Sequence, residues 1–367
     1  MIRTERIDRV IDEAIASRRL VGAVVMVAEK GAITYRRAAG LADREAGVPM
    51  REDTLFRAAS LTKPLVASTI LALGDKGRLD LSDPVTVALP FFRPKLADGR
   101  EPTITLAQLL THTAGLTYSY PRDPSITFGL QNVEDALEDT LQRIARQPLA
   151  FEPGTAWAYS MATDVLGAVA ARVNGSTLGQ AVREHVTGPL GMSDTDFPPV
   201  RTERLAVPYG DGEAEPVRMG EPHRMTSPWG SELTFSPSRI LNPAAFQSGG
   251  AGMATTASDF MRFLLAVEAG GAPILQRETV ARALANQTGA IEQAPGKRFG
   301  YLGSLTVDPA EAGLPWPAGT TSWGGIYGHI WSIDPLSEIS MVSLTNTALY
   351  GGEGAFPQAL REAIYAP

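Results

Sequence analysis

The stretch TLFRAASLTKPLVASTILALGDKG, residues 54–77, decides how the chain is read. Thr54-Leu55-Phe56-Arg57 is a short extended piece by composition. From Leu61 onward, Leu65, Val66, Ile70 and Leu73 recur at helical spacing until Gly77, which predicts a helix over 61–77. Ser60 stands at the N-terminal edge of that helix and Lys63 three residues on. Three residues are just under one turn, so the two side chains project from one face and the lysine nitrogen can reach the serine oxygen. A serine hydroxyl is a poor nucleophile until something takes its proton, and an amine that is partly desolvated or held near a second cation can do so. The helix N-terminus adds positive potential that favours negative charge on the serine or its adduct. Taken alone, Ser-x-x-Lys also fits an ordinary capping serine followed by a solvated lysine.

Upstream, Ile7, Val10, Ile11 and Ala14 repeat at helical spacing and predict an opening amphipathic helix of about three turns. AVVMVAEKG and AITYRRAAG, joined at Lys30-Gly31, read as a strand hairpin. Downstream, from Asp83 to about Pro228, helical patterns at 106–111, 133–146, 162–173 and 178–186 alternate with loops rich in Pro and Gly. After Gly249-Gly250 come a helix over 257–269, the strand-like runs YLGSLTV, GGIYGHIWSI and EISMVSLTNT, and a closing helix over 355–365. Strands at both ends of the chain point to an α+β fold: one antiparallel sheet assembled from the two termini and flanked by helices. Residues 1–82 with 245–367 are expected to form this mixed part, and 83–244 a mostly helical insertion, with a cleft between them.

Composition removes several classes of function. The chain has 367 residues, 44% hydrophobic and 20% charged, so it can bury a large core. A net charge of -7, with no basic run, argues against nucleic-acid binding. There is no cysteine, and His112, His185, His223 and His329 show no ligand spacing, so no metal and no other cofactor is expected. Charges every few residues through MIRTERIDRVIDEAIASRRLVG interrupt any apolar core that a leader or membrane span would need. The expected setting is cytoplasmic, with no membrane partner. Nothing in the sequence fixes the oligomeric state.

Two further segments suit the same chemistry as Ser60 and Lys63. Phe151-Glu152-Pro153-Gly154 turns into Trp157-Ala158-Tyr159-Ser160-Met161 just before a helix, a place from which a phenol can point into a cleft. With a lysine beside it, Tyr159 can act as a general base and then as an acid toward a leaving group; alone it reads equally as a core tyrosine. Ser322-Trp323-Gly324-Gly325-Ile326 enters a predicted strand, and its two glycines allow close approach of a ligand. An N–H there can pair with that of Ser60 as an oxyanion hole. The loop Thr117-Tyr118-Ser119-Tyr120-Pro121 and residues Trp157, Trp229, Phe246 and Tyr327 offer aromatic surface; Tyr118 and Trp323 are the preferred pocket walls. No Gly-x-Ser-x-Gly elbow exists for a Ser-His-Asp arrangement, Gly191-Met192-Ser193-Asp194-Thr195 being only a near miss. His112 and His329 are weak candidates for a base.

The ordered set of motifs resembles the serine β-lactamase-like hydrolases, in particular the class C β-lactamase and family VIII carboxylesterase branch. Besides Ser60-x-x-Lys63 and Tyr159, it includes Gly77-Arg78-Leu79-Asp80-Leu81, Asp83-Pro84-Val85, Leu109-Leu110-Thr111-His112-Thr113-Ala114-Gly115-Leu116, Leu190-Gly191-Met192-Ser193-Asp194-Thr195 and Gly249-Gly250-Ala251-Gly252-Met253. The resemblance implies a β-lactamase/transpeptidase-like fold. It also implies a Ser60 nucleophile tuned by Lys63, a proton-shuttling Tyr159, and oxyanion donors at the backbone N–H of Ser60 and Ile326. Two positions depart from the lactamase pattern. Met161 stands where Tyr-x-Asn has its amide, and Trp323-Gly324-Gly325 stands where Lys-Thr-Gly would hold a carboxylate. Trp323 brings no positive charge, so anionic β-lactams are expected to bind poorly, and an apolar wall suits an uncharged ester. The expected reaction is hydrolysis of small to medium esters through a Ser60 acyl-enzyme, with a small-molecule substrate bound by Trp323, Gly324, Gly325 and Tyr118. β-Lactamase, D-amino-acid peptidase and acyltransferase activities of the same fold are the alternatives.

Overall fold

The computed structural model describes residues 2–365 apart from 121, 122, 124, 132, 133, 199, 200, 228 and 229. Along the chain come α1 (Thr4–Ala16), β1 (Gly22–Glu29), β2 (Ala32–Asp43), β3 (Val48–Pro49), β4 (Phe56–Arg57) and α2 (Thr62–Asp75). The middle holds α3 (Leu106–Leu110), α4 (Leu137–Ala145), α5 (Ala162–Asn174), α6 (Leu178–Val182) and the short strands β5 (Tyr209–Gly210), β6 (Val217–Arg218), β7 (His223–Thr226) and β8 (Glu232–Phe235). The last third is β9 (Ala254–Thr255), α7 (Ala257–Glu268), α8 (Arg277–Leu284), β10 (Lys297–Phe299), β11 (Ser304–Thr306), α9 (Pro309–Ala312), β12 (Thr321–Gly325), β13 (His329–Asp334), β14 (Ile339–Thr345) and α10 (Ala355–Tyr365).

Eight strands form the main sheet in the order β10-β11-β12-β13-β14-β1-β2-β3, every neighbour antiparallel. The two chain ends meet at its centre, where β1 pairs with β14. The Lys30-Gly31 turn takes positive φ at both residues, 52° and 75°, which suits the twist of a two-residue hairpin. Strand β1 is buried on both faces. Its alternation sends Val25 and Val27 toward Ile7 and Ile11 of α1 and Leu360 of α10, while Val24 and Met26 face the larger core with Phe260 and Leu264 of α7. Beneath that second face lies α2, buried from Thr62 through Leu73 all round its circumference. A helix enclosed on every side is a core helix, so the residues at its start are held rigidly.

Several sequence expectations change in the structure. GGIYGHIWSI is two strands, β12 and β13, because the chain reverses at Ile326-Tyr327-Gly328. Gly328 has φ 103°, and a Cβ there would lie 2.1 Å from the Thr347 carbonyl oxygen, so only glycine fits this turn. YLGSLTV contributes strand only over 304–306, and the helix expected over 133–146 begins at Leu137, Val133 lying outside the described residues. Region 201–244 holds two small hairpins, β5–β6 and β7–β8, where helix was the broader expectation; these strands of two to four residues carry too little periodicity to announce themselves. Among the described residues no helix is long and apolar enough to cross a membrane.

Because Ile11 is fully buried in the cluster that α1 and α10 form on the sheet, Ile11→Ala is expected to cost about 2–5 kcal/mol. Urea denaturation at neutral pH reads this as a lower midpoint with an unchanged m-value.

Candidate active site

The first turn of α2 carries the site. Ala58 to Leu61 form a tight turn leading into the helix, and Ala59 sits fully buried at φ 45°, a conformation costly for a residue with a Cβ. That kink presents Ser60. Its side chain is not used as a helix cap, which removes the bland reading of Ser-x-x-Lys. Lys63, nearly buried, donates from Nζ to Ser60 Oγ at 3.1 Å and to the Gly250 carbonyl at 2.7 Å. Tyr159, immediately before α5, places its hydroxyl 2.7 Å from Ser60 Oγ. The three polar tips thus converge from two distant segments of the chain.

Around them is an aromatic cluster. Lys63 Nζ lies 4.7 Å from the centre of the Tyr159 ring and 5.6 Å from that of Tyr118, so two aromatic faces help accommodate a cation there. Trp157 stacks on Tyr159, and Phe299 meets Trp157 and Trp323. Trp323 is more than an apolar wall: its indole N–H donates to the Tyr159 hydroxyl at 3.1 Å and so orients the phenol. Tyr118 packs against Tyr159 and Phe128, behind the reacting groups, instead of forming the wall of the main cavity. Burial raises its hydroxyl pKa well above the ordinary value. Phe246 lies under the Arg239 guanidinium and Tyr327 packs on Phe235, both as core residues, and Trp229 lies outside the described residues. Met161 is wholly buried in the main core.

The glycines of the Trp323-Gly324-Gly325 segment serve the protein's own backbone. A Cβ on Gly325 would come within 2.8 Å of the Ala58 carbonyl, and one on Gly324 within 2.7 Å of the His329 carbonyl. Their absence lets β12 lie directly on the Ser60 turn and brings Ile326 to the mouth of the site. Ser60, Tyr159, Trp323 and Ile326 open onto a cavity of about 370 Å³, the size of a small-ligand pocket. Its far wall includes Lys297 and Arg361, which sequence reading missed; neither forms an ion pair among the described residues. Burial, then the nearby Arg361, lower the Lys297 pKa. They come from the edge strand β10 and from α10, elements with no motif of their own, so only the fold reveals them.

Both histidines considered as bases are engaged elsewhere. His112 pairs through Nδ1 with Ser160 Oγ at 3.1 Å, and its ring abuts Tyr159 edge to face. Burial, and secondarily the Lys63 charge, push its pKa down to about 3. His329 binds the Arg57 carbonyl at 2.8 Å, and burial takes it to about 4. Among the described residues no cluster of His, Asp or Glu is arranged to hold a metal.

The profile of the family described as Beta-lactamase matches residues 7–364, and the chain belongs to that family. It is 48% identical to Esterase EstB of Burkholderia gladioli over 373 residues, covering 98% of this chain and 95% of that one. Its structure superposes on EstCE1, described as a hydrolase with promiscuous acyltransferase activity, with a TM-score of 0.95 at 38% identity over 99% and 98% of the two chains. Simvastatin synthase LovD of Aspergillus terreus shares the fold, with a TM-score of 0.76 at 22% identity over 99% and 98%.

The buried histidines make stability depend on pH. Unfolded, each takes up a proton near pH 6.5; folded, His112 and His329 do so only near about 3 and 4. Below pH 6.5 the unfolded state therefore binds more protons, and stability falls as pH is lowered. Urea unfolding at pH 7.5 and 5.5 should show this loss, and His112→Gln should reduce it; an equally steep loss in the variant would exclude His112 as a source.

Proposed function

We propose that the protein is a serine esterase that hydrolyses carboxylic esters of small to medium acyl groups. The observation that carries the reading is the joint contact of Ser60 Oγ with Lys63 Nζ and the Tyr159 hydroxyl. The relationship to a named esterase at 48% identity, across nearly the whole of both chains, supports it.

In this mechanism Ser60 Oγ attacks the ester carbonyl while its proton passes to whichever of Lys63 and Tyr159 is in its base form; as neighbours on one hydroxyl they act as a coupled pair. The new C–O bond turns the carbonyl oxygen into an oxyanion held by the backbone N–H groups of Ser60 and Ile326. Collapse breaks the bond to the alcohol, which leaves with the proton returned through Tyr159, and an acyl-Ser60 ester remains. Water then attacks that ester, gives up a proton to the same pair, and releases the carboxylic acid as Ser60 regains its hydrogen. An alcohol in place of water would give acyl transfer, the second activity in the description of EstCE1.

Turnover of p-nitrophenyl butyrate should far exceed that of nitrocefin, because Trp323 stands where a carboxylate-binding lysine would be. An activated phosphonate should add one adduct mass, mapped to Ser60. Ser60→Ala should lower kcat by about 10⁴-fold or more and Tyr159→Phe by about 10²–10⁴-fold; ester turnover surviving Ser60→Ala would end the proposal. Trp323→Phe keeps an aromatic side chain and loses the N–H to Tyr159, so kcat should fall about fivefold or more, the worth of at least one neutral hydrogen bond.

A further inference from the structure

The motif Gly249-Gly250-Ala251-Gly252-Met253 has no part in the chemistry above, yet it touches the nucleophile turn three times. The Met253 carbonyl accepts from the Ala58 N–H at 2.9 Å, the Met253 N–H donates to Thr62 Oγ1 at 3.2 Å, and the Gly250 carbonyl accepts from Lys63 Nζ at 2.7 Å. The loop is itself held from the opposite side by Asp164, in the first turn of α5. Asp164 is 1% exposed and has no ion-pair partner among the described residues. Its Oδ1 accepts from Ser248 Oγ at 2.5 Å and from the Gly250 N–H at 3.2 Å. Ser248 Oγ in turn accepts from the Ala251 N–H at 3.1 Å. A carboxylate in the first turn of a helix is ordinarily explained by the helix dipole. That accounts for the charge but not for a side chain turned onto a second segment and buried with no ion pair among the described residues.

The glycines explain why the contact is possible. A Cβ on Gly250 would lie 2.5 Å from Asp164 Oδ2, and one on Gly249 would lie 2.3 Å from the Thr163 carbonyl oxygen. Side chains at either position would lift the loop off α5 and carry the Gly250 carbonyl away from Lys63. Residue 250 thus works as a two-ended link, its N–H bound to a carboxylate and its carbonyl bound to the amine beside the nucleophile. The N–H and the carbonyl of Gly250 lie in successive peptide planes joined at its Cα, so the bond to Asp164 and the bond from Lys63 pin the two sides of one residue.

We infer that Asp164 is a positioning residue for the reaction: by clamping Ser248 and Gly250 it sets the carbonyl that aims Lys63 Nζ at Ser60 Oγ. The inference rests on the acyl-enzyme reading, in which Lys63 handles the proton of Ser60. Asp164 touches no substrate atom and acts only through the loop. A shift of Lys63 of about 1 Å is enough to cost on the order of 10²-fold in rate.

The test is steady-state turnover of p-nitrophenyl butyrate, with the rate of phosphonate labelling at Ser60, in wild type, Asp164→Ala and Asp164→Asn. Asp164→Ala should lower kcat and the labelling rate by roughly 10–100-fold with KM held within about threefold, since the cavity walls are untouched. Asp164→Asn, which keeps an acceptor oxygen for the Gly250 N–H, should recover most of that loss. A folded Asp164→Ala with wild-type kcat overturns the inference, as does a loss that appears in KM alone or one that Asp164→Asn fails to relieve. Should Asp164→Ala not fold, Ser248→Ala decides: it removes one of the two tethers, and an unchanged kcat overturns the clamp while a fall of about three- to tenfold at constant KM supports it. A wild-type protein that neither turns over the ester nor labels at Ser60 would instead refute the esterase reading itself.

Discussion

An amine set almost wholly inside a protein must find acceptors, and the arrangement of the site follows from how Lys63 finds them. Exposure of Lys63 is 7%, and its nitrogen is met by one hydroxyl, one carbonyl and two aromatic faces. Each comes from a different part of the chain: Ser60 from its own turn, Gly250 from a loop nearly two hundred residues on, and the rings from Tyr118 and Tyr159. Leaving such a group without partners would cost several kcal/mol, so these segments are held together as much by the lysine as the lysine is by them. The catalytic proposal needs the same geometry that burial demands.

The remainder of the fold serves to make that meeting rigid. Helix α2 is enclosed on all sides, so its first turn cannot drift. Strand β12 lies against the turn because Gly325 has no side chain to hold it off. Backbone strain at Ala59 persists in this setting, where neighbouring contacts over-determine the conformation. Trp323 closes the arrangement from the other side, with its N–H on the phenol and its ring among Phe299, Trp157 and Tyr159. Its indole thus supplies both an orienting donor and an apolar face to the phenol.

Much of the architecture was legible in the residues. The opening and closing helices, the hairpin at Lys30-Gly31 and the buried helix after Ser60 all carry periodicities long enough to stand out, and their burial in the structure follows those patterns. Reading GGIYGHIWSI as one run failed because a three-residue reversal between apolar strands leaves the hydrophobic pattern unbroken; only the positive φ of Gly328 marks it. The ribbons between 209 and 235 were hidden for the opposite reason, being too short for any period to register. Tyr118 packs on Tyr159, but whether such a ring faces the cavity or backs the tyrosine in front of it depends on packing, which no local pattern encodes.

By itself the amino-acid sequence determined which groups exist to do chemistry, and that Ser60 and Lys63 must share a face, because an interval of three in a helix is a local geometric fact. It also determined that the sheet would draw on both ends of the chain. What only the tertiary structure decided is who stands beside those groups: the phenol at 2.7 Å, the indole behind it, the Gly250 carbonyl, the carboxylate of Asp164, and the cations Lys297 and Arg361 across the cavity. The physical reason is sequence separation. A contact within one helical turn is dictated by the backbone, whereas contacts between residues a hundred or more apart depend on how whole elements pack, and no local spacing encodes that.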